Sequence, residues 1–250
     1  MKAAAILMAL AAASPAAADV NVIATYEARM LVKIADLRTD TVVGSTSYRL
    51  GARLTTIGAL GVIKPNTLLI QANGVVRGGA PLPSVYIQTE KAKRRVTRYN
   101  GGAGWKSLAD PLTQLMRASL QAGGGSPCIG SLPVYDGRQR YDLALTPAGS
   151  ARLSGPAAGL GLQNPVSCRF NFRAVSGFGG SKGGGSFMRG DPVASFGFHL
   201  GGQVWVLTDV AVPTVAGTGH IALTSAQIVG VRPALNNSTL TASKPSNRRR

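Results

Sequence analysis

The sequence predicts a mainly β fold crossed by one short α-helix, and two features carry that expectation. Across ten segments the apolar residues recur at every second position, the spacing that turns one face of a strand towards a core. One segment alone, opening at Asp110-Pro111, changes to helical spacing.

Residues 1–18 read as a cleavable export signal. Lys2 supplies a positive start, Ala3 to Ala13 form an unbroken apolar run, and Ser14-Pro15 breaks any helix. Ala16-Ala17-Ala18 then offers the small residues a signal peptidase accepts. A retained anchor would need about 20 apolar residues, more than this run supplies. No cysteine stands near the cleavage point to carry a lipid. Cleavage after Ala18 leaves 232 residues, ample for a sizeable core. The expected layout is a periplasmic β-rich domain over 19–232 and a disordered basic tail over 233–250. The most apolar later stretch, 204–215, is interrupted by Thr208, Asp209 and Pro213, so no transmembrane segment is expected.

Strands are expected over 20–31, 37–43, 46–55, 67–76 and 94–99. The last of these lies in the basic stretch from Lys91 to Tyr99, with Arg94, Val96 and Arg98 on one face and Arg95, Thr97 and Tyr99 on the other. Cationic heads whose stems cover apolar surface suit a sheet that meets an anionic amphiphile. The same charges equally suit an edge strand guarded against aggregation.

The helix follows. Asp110 fits an N-cap and Pro111 the first helical position, where its missing N–H costs nothing. Leu112, Leu115, Met116 and Leu120 line one face, and Gly123-Gly124-Gly125 stops the run. That apolar face is expected against the sheet; a membrane-surface helix is the alternative.

Cys128 and Cys168 are the two cysteines, and in an oxidising compartment an even count points to a disulfide. Between them Asp136-Gly137 signals a turn. The strand after it, 138–146, places Tyr141, Leu143 and Leu145 on one face and Arg140, Asp142 and Ala144 on the other. Asp136, Gly137, Arg138, Arg140 and Asp142 are expected to form a structural hairpin network in which arginine–aspartate pairs pin the turn.

Further strands are expected over 166–174, 193–200, 204–212 and 221–229. Gly201-Gly202 reads as a two-residue hairpin turn, and Val204, Val206, Thr208, Val210 and Val212 as one strand face. The segment 176–190 holds seven glycines and a match to the nucleophile-elbow pattern at Gly179-Gly180-Ser181-Lys182-Gly183. That elbow needs a strand before the serine and a helix after it, and glycines flank this one on both sides. A flexible connection is the expected role.

Chemistry finds little support. His199 and His220 lack a neighbouring carboxylate pattern and read as structural. There is no zinc-ligand spacing and no phosphate-binding glycine motif before a helix. No catalytic, metal or ligand-binding residue is singled out, and no cofactor is expected. Charge is the strongest compositional signal: 27 Lys and Arg stand against 10 Asp and Glu. Outside the cytoplasm such an excess points to anionic lipid, lipopolysaccharide phosphate or an acidic polymer, not to nucleic acid; a merely solubilising surface is the other reading.

From Cys128-Ile129-Gly130 through Leu132-Pro133-Val134-Tyr135-Asp136-Gly137-Arg138-Gln139-Arg140-Tyr141-Asp142-Leu143, the chain resembles an uncharacterised exported family, domain-of-unknown-function family 3108. Ala24-Thr25-Tyr26-Glu27-Ala28, Tyr48-Arg49-Leu50 with Thr56 and Gly58, and Asp110-Pro111-Leu112-Thr113 fit the same pattern, as do Cys168, Trp205, Val212-Pro213, Gly217 and Leu223. The segment 176–190 and the arginine-rich tail depart from it. The resemblance implies a strongly curved antiparallel sheet, a half-barrel or open barrel, with one short covering α-helix. It is similar to the half-barrels of periplasmic lipoprotein carriers, whose concave face holds acyl chains. The family has no established activity, so no functional residue is transferred.

Two expectations follow. The first is a non-enzymatic exported protein that binds a lipid or other amphiphile, or part of an envelope protein, in its curved face. The second is a structural or interaction module that recognises an acidic envelope polymer or a protein partner through its basic surface. A hydrolase with carboxylates paired only by the fold ranks third.

Overall fold

The computed structural model describes residues 19–63, 65–100, 108–121, 125–177 and 189–230. The expected signal at 1–18, the tail at 233–250, the stop glycines Gly123 and Gly124 and the elbow match at Gly179 to Gly183 lie outside the described residues.

Twelve strands form one antiparallel sheet. They are β1 (Val20–Arg29), β2 (Lys33–Val43), β3 (Ser47–Thr56), β4 (Thr67–Arg77), β5 (Ala80–Glu90), β6 (Lys93–Arg98), β7 (Gly130–Tyr135), β8 (Arg140–Ser150), β9 (Gln163–Ser176), β10 (Val193–His199), β11 (Val204–Thr214) and β12 (Gly217–Val229). The order is β6-β5-β4-β3-β2-β1-β12-β11-β10-β9-β8-β7. The chain therefore starts in the middle of the sheet, runs out to one edge at β6, and crosses to the far edge at β7. From there it returns strand by strand to pair β12 with β1.

The crossing segment carries the main helix, α2 (Pro111–Ser119); a one-turn helix, α1 (Gly58–Ile63), and a 3₁₀ helix (Gly155–Leu160) complete the elements. An up-and-down barrel interrupted between β6 and β7, with a helix at the interruption, describes the arrangement. The sheet does not close, since no ladder joins β6 to β7. Its edges nevertheless meet: the Tyr99 hydroxyl, just beyond β6, donates to the Tyr135 carbonyl at the end of β7. A methyl group placed on Gly137 would overlap Thr97 of β6. Register shifts in β1–β12, β4–β5 and β10–β11 supply extra local twist to a sheet this wide.

All ten expected strands are present. β5 and β7 were not expected, and both carry prolines, Pro81 and Pro83 in β5 and Pro133 in β7, which argue locally against a strand. The sheet tolerates them for a positional reason. β6 pairs with β5 only from Val85 onward, so Pro81 and Pro83 lie past its reach, and β7 is an edge. A proline lacks a donor, and at a free edge that loss removes no ladder bond.

The expected face of Val204, Val206, Thr208, Val210 and Val212 is corrected. The ladder between β10 and β11 slips at Thr208, so Val210, Leu207 and Trp205 face with Ala194, Phe196 and Phe198, while Val204 and Val206 turn the other way. The two-residue hairpin at Gly201-Gly202 is also corrected. His199 pairs with Val204, leaving four residues in the turn, and Gln203 rather than either glycine has positive φ. A methyl on Gly202 would lie 3.0 Å from Ile228 Cγ2, a tight approach that glycine avoids.

The core has two parts. Val20, Val43, Tyr48, Leu50, Met116, Leu120 and Leu223 belong to one, and Leu132, Leu145, Cys168, Phe196, Phe198 and Trp205 to the other. α2 feeds both, Met116 and Leu120 into the first and Ala118 into the second. Cys128 and Cys168 form the expected disulfide, Cα to Cα 5.4 Å. It ties the segment entering β7 to β9 across the intervening β8.

Candidate functional site

α2 is held across the seam by its own polar residues. Asp110 caps it: the Thr113 amide donates to Oδ1 at 2.9 Å and the Thr113 hydroxyl to Oδ2 at 2.6 Å. That hydroxyl spends its proton on Asp110, so the Tyr48 hydroxyl 2.7 Å away is the donor to Thr113 Oγ1. Asp110, Thr113 and Tyr48 are all buried. Burial outweighs the bonds from Thr113 and raises the Asp110 carboxyl above the ordinary carboxylate range; burial likewise raises the Tyr48 phenol.

One turn further along, Gln114 Nε2 donates to the Pro133 carbonyl of β7 at 2.6 Å. Arg117 reaches the opposite way, donating from Nε and Nη2 to the Pro81 carbonyl of β5 at 3.0 and 2.8 Å. Its Nη1 bonds Gln114 Oε1 at 3.0 Å, which joins the two anchors. Gln114 and Arg117 thus bridge the two ends of the sheet with backbone acceptors that strand pairing leaves available.

The other side of α2 faces a cavity of about 160 Å³. β1 contributes Val20, Val22 and Tyr26; β2 contributes Thr39, Thr41 and Val43; β3 contributes Leu50, Gly51 and Ala52. The pairing explains the floor: Val20 lies beside Val43, Val22 beside Thr41 and then Leu50, and Ala24 beside Thr39 and then Ala52. Small residues at Gly51 and Ala52 leave the space open. Leu112, Leu115, Met116, Ser119 and Leu120 form the roof, and residues 204–207 of β11 form a wall. The helix stripe read from the sequence is therefore a cavity lining as well as core. Polar groups are few: Tyr26, whose phenol is raised by burial and interacts with Thr39, and the hydroxyls of Thr39, Thr41 and Ser119. A few convergent polar groups in an apolar pocket is the usual composition of a small-molecule site.

The hairpin network is only partly as expected. Asp136 Oδ1 accepts from the amides of Arg138 and Gln139 at 2.8 and 2.7 Å, and Gly137 takes φ +92°. These bonds form the turn. The arginine–aspartate pairing within it is corrected: Arg138 and Arg140 point to solvent, and Asp142 pairs with Arg173 across the sheet on β9. Residues 142 and 173 are register partners, a proximity that local sequence cannot show.

The basic stretch lies on an edge strand, β6, with Thr97 and Tyr99 buried and Arg94 and Arg98 exposed. Lys91 and Ala92 take the positive φ values of the β5–β6 turn. A surface concavity of about 440 Å³ lies among Gln88, Glu90, Lys91, Lys93, Arg94 and Arg95.

His199 accepts the Gly202 amide at Nδ1, 2.9 Å, a structural turn bond. His220, read as lacking a carboxylate neighbour, has one: Asp209 stands 3.2 Å away on the adjacent strand. Ser195 is the register partner of Asp209 on its other side. The lateral order serine, aspartate, histidine places the carboxylate in the middle, whereas nucleophilic catalysis needs the histidine there. No cluster of three or more metal-ligating side chains occurs among the described residues, and no helix among them is long and apolar enough to cross a membrane.

No protein-family model matches the chain, and no curated protein matches it. Among solved structures, a β-barrel-like protein of domain of unknown function DUF1849 from Brucella abortus aligns over 85% of this chain and 98% of its own, at 7% identity and a TM-score of 0.44.

Proposed function

We propose that this is an exported, non-enzymatic binding protein whose cavity beneath α2 holds the apolar end of an amphiphile. One observation carries the proposal: an apolar space of about 160 Å³ between the inner face of β1–β3 and the helix stripe, with a few hydroxyl groups in its lining. A dry cavity of roughly 150 Å³ lined by aliphatic side chains admits benzene. The space therefore suits a ring or the tip of an acyl chain, with the remainder of the ligand outside. Tyr26 and Thr39 would orient a polar atom near the buried end.

Export rests on residues 1–18, and the Cys128–Cys168 bond suits an oxidising compartment. The processed chain would begin at Asp19, which intact-mass measurement of periplasmic protein checks. Kinship with the uncharacterised family 3108, on the segment from Cys128 to Leu143, belongs to the same proposal. The second reading, an acidic polymer on the basic surface, draws on the concavity around Lys91 to Arg95 and predicts binding that weakens steeply with salt.

The test is solvent extraction of the purified protein with mass spectrometry, together with uptake of N-phenyl-1-naphthylamine. Wild type should carry or take up an apolar molecule. Ala52→Phe, which fills the floor, should abolish uptake while leaving circular dichroism unchanged. Clean extracts with no probe uptake, or uptake indifferent to Ala52→Phe, would refute the proposal.

A further inference from the structure

In a sheet of alternating hairpins every second connection lies at the same rim. The β1–β2 turn (30–32), the β3–β4 connection bearing α1, the β5–β6 turn at Lys91-Ala92 and the β11–β12 turn (215–216) share one. Contacts between them bear this out. The Ile57 amide donates to the Ile34 carbonyl at 2.9 Å, Asn66 Nδ2 donates to Glu90 Oε1 at 3.0 Å, and a methyl on Gly219 would lie 3.4 Å from Met30 Cγ.

This rim carries the three most exposed large hydrophobic residues among those described: Leu31 at 95%, Val62 at 84% and Val32 at 66%. Val215, at 51%, is a fourth. They stand at the tips of three separate connections and contribute nothing to either core cluster. Cations stand on the same rim. Lys91, Lys93 and Arg94 are exposed and make no ion pair among the described residues, whereas Lys33 is engaged by Glu27 and Asp36. Glu90 is their one carboxylate neighbour along the hairpin.

Apolar tips on three connections, with unpaired cations on a fourth at the same rim, match one kind of surface in both respects. Aliphatic side chains enter the boundary between headgroups and acyl chains, and lysines and arginines meet anionic headgroups. A soluble acidic polymer would use the cations and leave Leu31 and Val62 in water. We infer that this rim docks the protein on an anionic phospholipid bilayer, with Leu31, Val32 and Val62 inserted and Lys91, Lys93 and Arg94 at the phosphates. Docking is independent of occupancy of the cavity beneath α2.

The experiment is co-sedimentation of the full processed chain with phosphatidylcholine vesicles, with and without phosphatidylglycerol. Binding is expected only with phosphatidylglycerol. Leu31→Ser combined with Val62→Ser should weaken it about ten-fold at unchanged circular dichroism, and Lys91→Glu with Lys93→Glu should weaken it and flatten its salt dependence. Absence of wild-type binding would overturn the inference. So would a serine variant that binds like wild type, because that variant keeps every cation, including those of the C-terminal tail. Polyglutamate that displaces wild type and serine variant equally well would assign the rim to an acidic polymer instead. Ala52→Phe should leave vesicle binding intact, which separates this test from that of the cavity.

Discussion

Replacing Asp110 by alanine probes the joint on which α2, and hence the roof of the cavity, depends. The substitution removes the acceptor of the Thr113 amide, 2.9 Å from Oδ1, and of the Thr113 hydroxyl, 2.6 Å from Oδ2. Loss of an N-cap costs about 1 kcal/mol. The cap figure covers the amide, and the buried Thr113 hydroxyl left without its acceptor costs about 1–3 kcal/mol more. The total is about 2–4 kcal/mol. For a domain of this size that lowers Tm by roughly 4–16 °C.

Asp110→Asn keeps the shape and isolates the charge. Burial raises the folded-state carboxyl above its unfolded value, so the folded chain takes up a proton first as pH falls. Wild type should therefore gain stability relative to Asp110→Asn as pH falls from neutral through the raised folded value. The gain levels off below the ordinary aspartate range. Urea unfolding at several pH values measures both effects. A loss below about 0.5 kcal/mol in Asp110→Ala, within the range of ordinary surface changes, would refute the claim that the cap anchors α2. A wild-type to Asn difference independent of pH would refute the buried-charge argument.

Two further perturbations test the seam and its bracing. Cys128→Ser with Cys168→Ala opens a loop closed across 40 residues of sequence. Chain entropy predicts a loss of about 3–4 kcal/mol, read by urea denaturation without reductant, and an unchanged midpoint would contradict it. Gly137→Ala adds a methyl in the left-handed region, φ +92°, against Thr97. The loss should be about 1–3 kcal/mol, part of it recovered when Thr97→Ala is added; strict additivity of the two changes would mean that the edges do not touch there.

The seam has a consequence for ligand entry. Eleven neighbouring strand pairs brace the sheet continuously from β6 round to β7 apart from this gap, and α2 spans the gap through side-chain bonds to two backbone carbonyls. Those few bonds are weaker than a full ladder. If the cavity opens to admit an apolar chain, the boundary beside α2 is the place where the fewest bonds need to break.

Local patterns in the sequence determined much of this molecule. Ten strands follow from period-two spacing, because a half-buried strand writes its alternation into adjacent residues. α2 follows from Asp110-Pro111 and the Leu112, Leu115, Met116 and Leu120 stripe, since cap and face both lie within one short segment. The cysteine pairing follows from there being two and from the expectation of export. Tertiary structure alone decided the rest. β5 and β7 exist because neighbours on one side suffice where prolines stand at a free edge. Asp142 chose Arg173 over Arg140, and His220 met Asp209, through cross-strand register that links residues distant in sequence. The cavity and the exposed apolar rim are likewise products of how the sheet bends and which turns it gathers at one end. Spacing along a chain specifies which side of a strand is wet, but not which other strand will lie beside it.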